Sequence, residues 1–343
     1  MNNNQLKVAI AGYGVVGRRR RNVIDKNPFM RTVSVSDIKF ENSGKFEDGV
    51  RYYQNYNDVF EEDLDVLFVS LPNYLAPEAT MMGLKSGCHV FCEKPPARTV
   101  NEVQDVIKCS ERYPQLKLKY GFNHRYHDSV KKAREIIDSK FLGEVVSFRG
   151  VYGKSSIISF GSGWRAEKKY AGGGILLDQG IHMLDLVRYF SGDFEEIYSF
   201  VTNDYWEHDV EDNAFILMRN KEGQVACLHS TATQWQHRFR LEIILREGLI
   251  ELTGILSSSK SYGSETLKII ERAKGESTGS QEEKVFTFLN DNSWKDEIDE
   301  FADCIVNNKP VENGTSYDAL KVMEMIFSVY EADKVWWKAF GNK

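Results

Sequence analysis

"LKVAIAGYGVVG", residues 6–17, is the stretch whose reading decides the fold. An apolar run of strand type ends at Ala11 and passes directly into Gly12-Tyr13-Gly14-Val15-Val16-Gly17. A GxGxxG alone is a weak signal. Between a strand and a helix it becomes specific, because the glycines allow a tight turn and a close approach of backbone to a pyrophosphate. The helix that follows offers free N–H groups and the positive end of its dipole to the same phosphates. Asp37 stands twenty residues after Gly17, at the end of the alternating segment TVSVSD at 32–37. A carboxylate there accepts hydrogen bonds from ribose hydroxyls and repels a 2′-phosphate, which favours NAD over NADP. Lys39 is the nearby residue that argues the other way. A glycine turn and a strand-end acid with no ligand is the alternative. The arginines at 18–21 read mostly as a solvated face, with Arg18 in reach of a phosphate.

The units that follow extend the pattern. Residues 64–71 (LDVLFVSL) form a continuous apolar run of the kind that parallel sheets bury on both faces. A helix over about 75–86 is closed by Gly87, a strand follows at 88–92, and a helix runs from about Thr99 to Arg112. Thr99 and Glu102 have the capping-box form. LKLKYGF at 116–122 closes the series. Between Asp37 and Leu64 no helical stripe is visible, so a short or missing crossover helix is expected there. After about residue 125 the pattern changes. A helix near 127–140, a strand in GEVVSFRGVYGK and a helix at 178–190 precede strands at 194–202, 212–219, 224–233, 237–246, 249–254, 266–272 and 284–289. The fold expected is therefore α/β: a Rossmann domain with a doubly wound parallel sheet over 1–124, then an α+β domain with a large, mostly antiparallel open sheet over 125–343. Two closing helices, about 293–307 and 316–338, are free to pack back on the first domain.

Composition removes several classes. The 343 residues are 42% hydrophobic and 27% charged, with no apolar stretch long enough to cross a bilayer. A net charge of −6 argues against a nucleic-acid surface, and a small-molecule partner is expected instead. The N-terminus lacks the order of a signal peptide, so a cytoplasmic setting is expected. Five scattered cysteines do not suggest a disulfide framework. Cys88-His89-x-x-Cys92 sits in a strand, where alternate residues face opposite ways, and no second ligand pair follows; no metal is expected.

Chemistry is signalled twice more. Glu93 and Lys94 appear where the strand at 88–92 stops, and Pro95-Pro96 block any continuation. This fits a strand end reaching water, or a lysine aimed into an active site. Farther on, Gly172-Gly173-Gly174 leads into Ile175-Leu176-Leu177-Asp178-Gln179-Gly180-Ile181-His182. Asp178 and His182, four apart, share one face of a helix. Histidine suits proton transfer near neutrality, and a neighbouring carboxylate orients it. The same spacing also fits a helix-start acid and a core histidine.

Taken together, these motifs resemble the Gfo/Idh/MocA oxidoreductases (glucose–fructose oxidoreductase, inositol dehydrogenase and relatives). The resemblance covers nearly the whole chain. It rests on GYGVVG at 12–17, Asp37, SLPN at 70–73, EKP at 93–95, GFNHRY at 121–126, WR at 164–165 and GGGILLDQGIHMLDL at 172–186. It implies that Gly12, Tyr13, Gly14, Val15, Val16, Asp37, Ser70, Leu71, Pro72, Asn73, Glu93, Lys94 and Asn123 contact the cofactor. It implies a cis Lys94–Pro95 peptide. Lys94 then holds the substrate oxygen, His182 is the general acid/base and Asp178 orients or binds substrate. Arg125, Trp164 and Arg165 join them at the substrate. Lys154, Arg165 and Lys168 offer positive charge to a phosphorylated or acidic substrate, and fit a solvated loop equally well. Tyr74 departs from the pattern, since many relatives carry histidine there. The activity implied is an NAD-dependent dehydrogenase of a sugar or polyol, with nucleotide-activated sugars of surface polysaccharides as the preferred subset. An NAD-requiring, redox-neutral glycosidase would use the same lysine and histidine. A non-catalytic NAD-binding regulator would typically have lost one of them. The open sheet is expected to pair copies into a homodimer or homotetramer.

Overall fold

The computed structural model describes residues 5–157, 163–256, 262–272 and 281–341. It divides into two compact units. The first comprises Met1–Asn123, Lys169–Gly172 and Trp294–Leu320; the second comprises His124–Lys168, Gly173–Ser293 and Lys321–Lys343. No helix among the described residues is long and apolar enough to cross a membrane.

The first unit is built on a seven-stranded sheet. In chain order the strands are β1 (Leu6–Ala11), β2 (Met30–Ser36), β3 (Gly44–Lys45), β4 (Arg51–Tyr53), β5 (Val66–Val69), β6 (His89–Glu93) and β7 (Leu118–Gly121), and their spatial order is β3-β4-β2-β1-β5-β6-β7. All neighbours are parallel except β3 with β4. Helices α1 (Val15–Ile24), α2 (Ala76–Lys85) and α3 (Val100–Ser110) supply the crossovers. Thr99 caps α3 as expected, its side chain accepting from the Glu102 N–H. Val8–Ala11 and Val66–Val69 are shut off from solvent, as central parallel strands with two covered faces must be. One cover is the segment Trp294–Val306, whose Ile298, Phe301 and Ala302 join the core around Phe68 and Phe91.

Between β2 and β5 no crossover helix forms. The segment makes β3, β4 and a 3₁₀ turn at Tyr56–Glu61. Its apolar content is aromatic: Phe40, Phe46 and Tyr52 pack on one another and on Tyr13 of the glycine loop.

The arginine run corrects one expectation. Arg20 is completely buried. Its guanidinium pairs with Glu93 at 2.5 Å and with Glu297 at 2.7 Å, and it lies 4.4 Å from the Phe91 ring and 4.2 Å from that of Trp294. Four successive arginines on a helix point in four directions, and one of them meets the sheet. Burial works against the Arg20 charge, yet the two carboxylates outweigh it and hold its pKa above the ordinary value. One cation does not satisfy two acids equally. Burial, with the like charge of Glu93 adding to it, outweighs Arg20 at Glu297 and pushes that carboxyl up to about 7.

The second unit carries an eight-stranded sheet. Its strands are β8 (Val145–Ser155), β9 (Phe194–Thr202), β10 (Asn213–Asn220), β11 (Val225–Gln234), β12 (Arg238–Leu245), β13 (Gly248–Thr253), β14 (Glu265–Arg272) and β15 (Gln281–Phe288), in the spatial order β15-β14-β13-β12-β8-β11-β10-β9. Only the β8–β11 pair is parallel. Phe239, Leu241, Ile243 and Leu245 of β12 all point into the core, as their period of two requires. The opposite face shows Tyr198, Phe200, Phe215 and Leu217 to solvent. The helix expected over 178–190 is in fact two pieces: a π-helical turn at Leu176–Gly180, then an α-helix at Ile181–Ser191.

Replacing Arg20 with Met strands two buried carboxylates, and we expect a loss of about 3–5 kcal/mol in urea unfolding. Glu297→Gln acts through pH. A carboxyl whose folded pKa is raised contributes stability that is full below its unfolded pKa and is lost as pH rises through the folded value, here about 7. The Tm of Glu297→Gln should therefore gain on the wild type between about pH 5 and about pH 8. A difference that stays flat with pH contradicts this account.

Candidate active site

The sequence-predicted cofactor residues of the first unit all lie at the C-terminal ends of parallel strands. The glycine loop follows β1, Asp37 follows β2, Ser70–Asn73 follow β5, Glu93 and Lys94 end β6, and Asn123 follows β7. In an open α/β sheet that edge is where ligands bind. The loop is held by close backbone contacts. Gly12 has φ +94°, and a Cβ there would meet the Ser70 carbonyl oxygen at 2.4 Å. A Cβ on Gly17 would meet the Gly12 carbonyl oxygen at 2.0 Å. Gly14 differs. It is the N-cap of α1, it is exposed, and a Cβ on it would point into open space. That open space lies at a helix N-terminus, where free N–H groups suit a phosphate. Val15 beside it is 79% exposed. The residues present therefore fit a dinucleotide, and Gly12–Val16 and Asp37 are the ones that could hold it.

Several of the first-unit residues also bond within the protein itself. The Tyr13 hydroxyl accepts from Arg21 at 2.9 Å, and Arg18 donates to the Tyr13 carbonyl at 3.3 Å. Asp37 accepts from the backbone N–H of Lys39 at 3.0 Å, and Lys39 is exposed. Asn73 is buried and donates to the Ala171 carbonyl at 2.6 Å. Glu93 is tied to Arg20. The Lys94–Pro95 peptide is cis, as the resemblance implied.

In the second unit, Asp178 and His182 straddle the junction of the π-helical turn and the α-helix. The glycine run before them packs tightly. A Cβ on Gly174 would meet the Glu211 carbonyl oxygen at 2.0 Å, and one on Gly173 would meet the Tyr330 hydroxyl at 2.3 Å. Glu211 is the anchor. Its buried carboxylate accepts from the N–H groups of Gly174 at 2.7 Å and Leu176 at 2.9 Å, and from the Tyr330 hydroxyl at 2.8 Å. Burial pushes its carboxyl pKa up against those bonds. His182 is almost completely buried. Lys154 is half-buried, and its pKa is lowered by burial and by Arg165, with Asp178 pulling the other way. Arg165 stacks on Trp164 at 4.3 Å in the Gly163–Ala166 turn. Lys168 donates to the Phe340 carbonyl. Arg125, expected at the substrate, is found in a buried two-point ion pair with Asp185, at 2.8 and 2.6 Å.

Sequence reasoning missed four residues around His182. The His124 ring stacks on it at 3.6 Å between centroids, His124 bonds Tyr152 at 3.2 Å, and Tyr262 donates to Gln179 at 3.1 Å. His124 and His127 were visible in GFNHRYH, but nothing in the order of residues joins them to position 182.

This constellation is that of an NAD-linked oxidoreductase fold. A family model described as "Oxidoreductase family, NAD-binding Rossmann fold" matches residues 6–121, and one described as "GFO/IDH/MocA C-terminal domain" matches residues 130–251. The chain belongs to the Gfo/Idh/MocA family. Levoglucosan dehydrogenase of Pseudarthrobacter phenanthrenivorans is 28% identical over 184 residues, which are 52% of this chain and 44% of that one. D-glucoside 3-dehydrogenase of Escherichia coli is 36% identical over 131 residues, 37% of this chain and 36% of that one. The matched stretches thus span less than half of either relative. The solved structure of levoglucosan dehydrogenase in complex with NADH has the same fold, with a TM-score of 0.82 at 19% identity and 96% of each chain covered.

The glycine geometry separates two substitutions. Gly14→Ala fills the cradle without touching protein, so Tm should hold while NAD affinity, read by fluorescence titration, falls by about tenfold or more. Gly17→Ala drives a methyl into the Gly12 carbonyl and should lower Tm. Equal Tm losses in the two variants would refute the assignment.

Proposed function

We propose that the chain oxidises a secondary hydroxyl of a ring-closed sugar, or reduces the corresponding ketone, with NAD as cofactor. The observation that supports this is that one chain carries both EKP at a strand end of a dinucleotide-fitting unit and, in its other unit, Asp178 four residues before a buried His182. Bound NAD supplies a hydride acceptor. His182 takes the hydroxyl proton at its imidazole, and Asp178 orients the substrate. The Lys94 ammonium binds the same oxygen and stabilises negative charge developing on it. Burial keeps water from competing for His182. The substrate class follows from the relatives' names. A glucoside or levoglucosan has a substituted anomeric carbon, so the reacting carbon is a ring carbinol.

A nucleotide-activated sugar is the second reading: the second unit carries Lys154 and an exposed Arg165, cations of the kind that suit a phosphate. The test is NADH absorbance against a panel of glucosides, levoglucosan, polyols and nucleotide sugars. Turnover confined to nucleotide sugars moves the assignment to the second reading. Bound NAD with sugar cleavage and no net NADH points to the redox-neutral glycosidase. Bound NAD with no reaction at all points to the regulator. Lys94→Ala should lower kcat about 10²–10³-fold with little change in NAD affinity; activity near wild type rules out this role for Lys94.

We also propose that copies pair through the open sheet face that carries Tyr198, Phe200, Phe215 and Leu217. Phe215→Glu should shift light scattering towards the monomer; a monomeric wild type at micromolar concentration refutes the pairing.

A further inference from the structure

Asp178 lies on the π-helical turn Leu176–Gly180, a rare form of backbone that is often found at functional sites. A row of side chains braces it at both ends. At one end the His124 ring lies flat on His182, 3.6 Å between centroids and 13° between planes. At the other end Tyr262 bonds Gln179, the neighbour of Asp178, at 3.1 Å. Tyr152 stands between the two, bonding His124 Nε2 at 3.2 Å and packing its ring edge-on against that of Tyr262, 5.3 Å between centroids.

The bond at Nε2 and the edge-on packing of Tyr152 between His124 and Tyr262 restrict rotation of the His124 ring. Behind it, His127 lies 5.4 Å from the His124 ring and is itself fixed by Glu265 at 2.8 Å. The stacked face joins His124 to His182.

We propose that His124 is a positioning residue for His182: the bond to Tyr152 locks the His124 ring, and its face holds the His182 imidazole in the plane that proton transfer needs. The inference rests on the reading of His182 as acid/base. His124 touches neither substrate nor cofactor in this role. It spares His182 the rotation that costs rate when a reacting group drifts out of line.

The test is a double-mutant cycle in kcat. Tyr152→Phe keeps the ring and removes the link, and His124→Phe keeps a flat face and removes the bond to Tyr152. Each should lower kcat about tenfold with NAD affinity and Tm close to wild type, and the double variant should be no worse than either single one. His124→Ala removes the face as well and should cost about 100-fold. A merely structural Tyr152 would give the same loss in both backgrounds, so additive losses overturn the proposal. So does wild-type kcat in His124→Phe. Should His124→Ala fail to fold, the cycle between the two phenylalanine variants still decides.

A second readout needs no turnover. In ¹⁵N-histidine-labelled protein, with the signal assigned through His182→Asn, Tyr152→Phe should shift the His182 ring resonance. A moving resonance in a protein that oxidises no sugar means the proposed function has failed and the coupling stands. Sugar turnover with an additive cycle and an unmoved resonance means the reverse.

Discussion

One buried cation, Arg20, fixes the active end of the first unit. It leaves α1 one turn after the glycine loop, reaches Glu93 at the tip of β6, and ends on Glu297 in the Trp294–Val306 segment. Three elements far apart in sequence are thereby tied at one point. A buried ion pair of this kind contributes little against a well-packed apolar substitute, but losing one partner is costly. Its consequence is therefore geometric. The glycine loop and the EKP turn cannot shift independently while both are bound to the same guanidinium. Lys94 is the next residue along, so its backbone inherits that rigidity.

The second unit solves the same problem with the opposite charge. Glu211 is a buried acid that holds two backbone N–H groups of the glycine-rich segment and one tyrosine hydroxyl. Such a carboxylate acts much as an N-cap does, satisfying donors that an irregular turn leaves without helical partners. The glycines at 173 and 174 follow from this. Side chains there would collide with Tyr330 and with Glu211's own backbone. Asp178 then lies on the π-helical turn and His182 in the first turn of the α-helix that follows.

Much of this was legible in the sequence, and the reason is periodicity. Strands β1, β5 and β12 declare themselves by unbroken or alternating apolar residues. The missing crossover after Asp37 shows as the absence of a stripe. What was not legible is long-range. Four consecutive arginines read as a wet surface, and only the sheet reveals that Arg20 is inside. Asp178 and His182 are singled out by spacing, yet the π-helical turn that carries Asp178 leaves no mark in residue order. Tyr152 is one more aromatic on an alternating strand until Tyr262 and His124 are beside it. Arg125 reads as a substrate contact by motif, and its partner Asp185 lies sixty residues on.

The departure at Tyr74 now has a physical setting. The chain leaves the second unit after Lys168, enters the first for Lys169–Gly172, and returns at Gly173. Those four residues are gripped from several sides. Asn73 donates to the Ala171 carbonyl, Arg98 to the Lys169 carbonyl at 2.7 Å, and Tyr74 packs its ring on Tyr170 at 5.0 Å. Gly172, at φ +83°, sits so close that a Cβ would meet the Arg98 carbonyl at 2.5 Å. A histidine at 74 would offer a smaller and more polar surface to Tyr170. The tyrosine instead supplies aromatic area to a crossing strap that has little other apolar burial. The SLPN motif and its neighbour thus serve two ends here. The backbone of Ser70 seats the glycine loop, while the side chains of Asn73 and Tyr74 hold Ala171 and Tyr170.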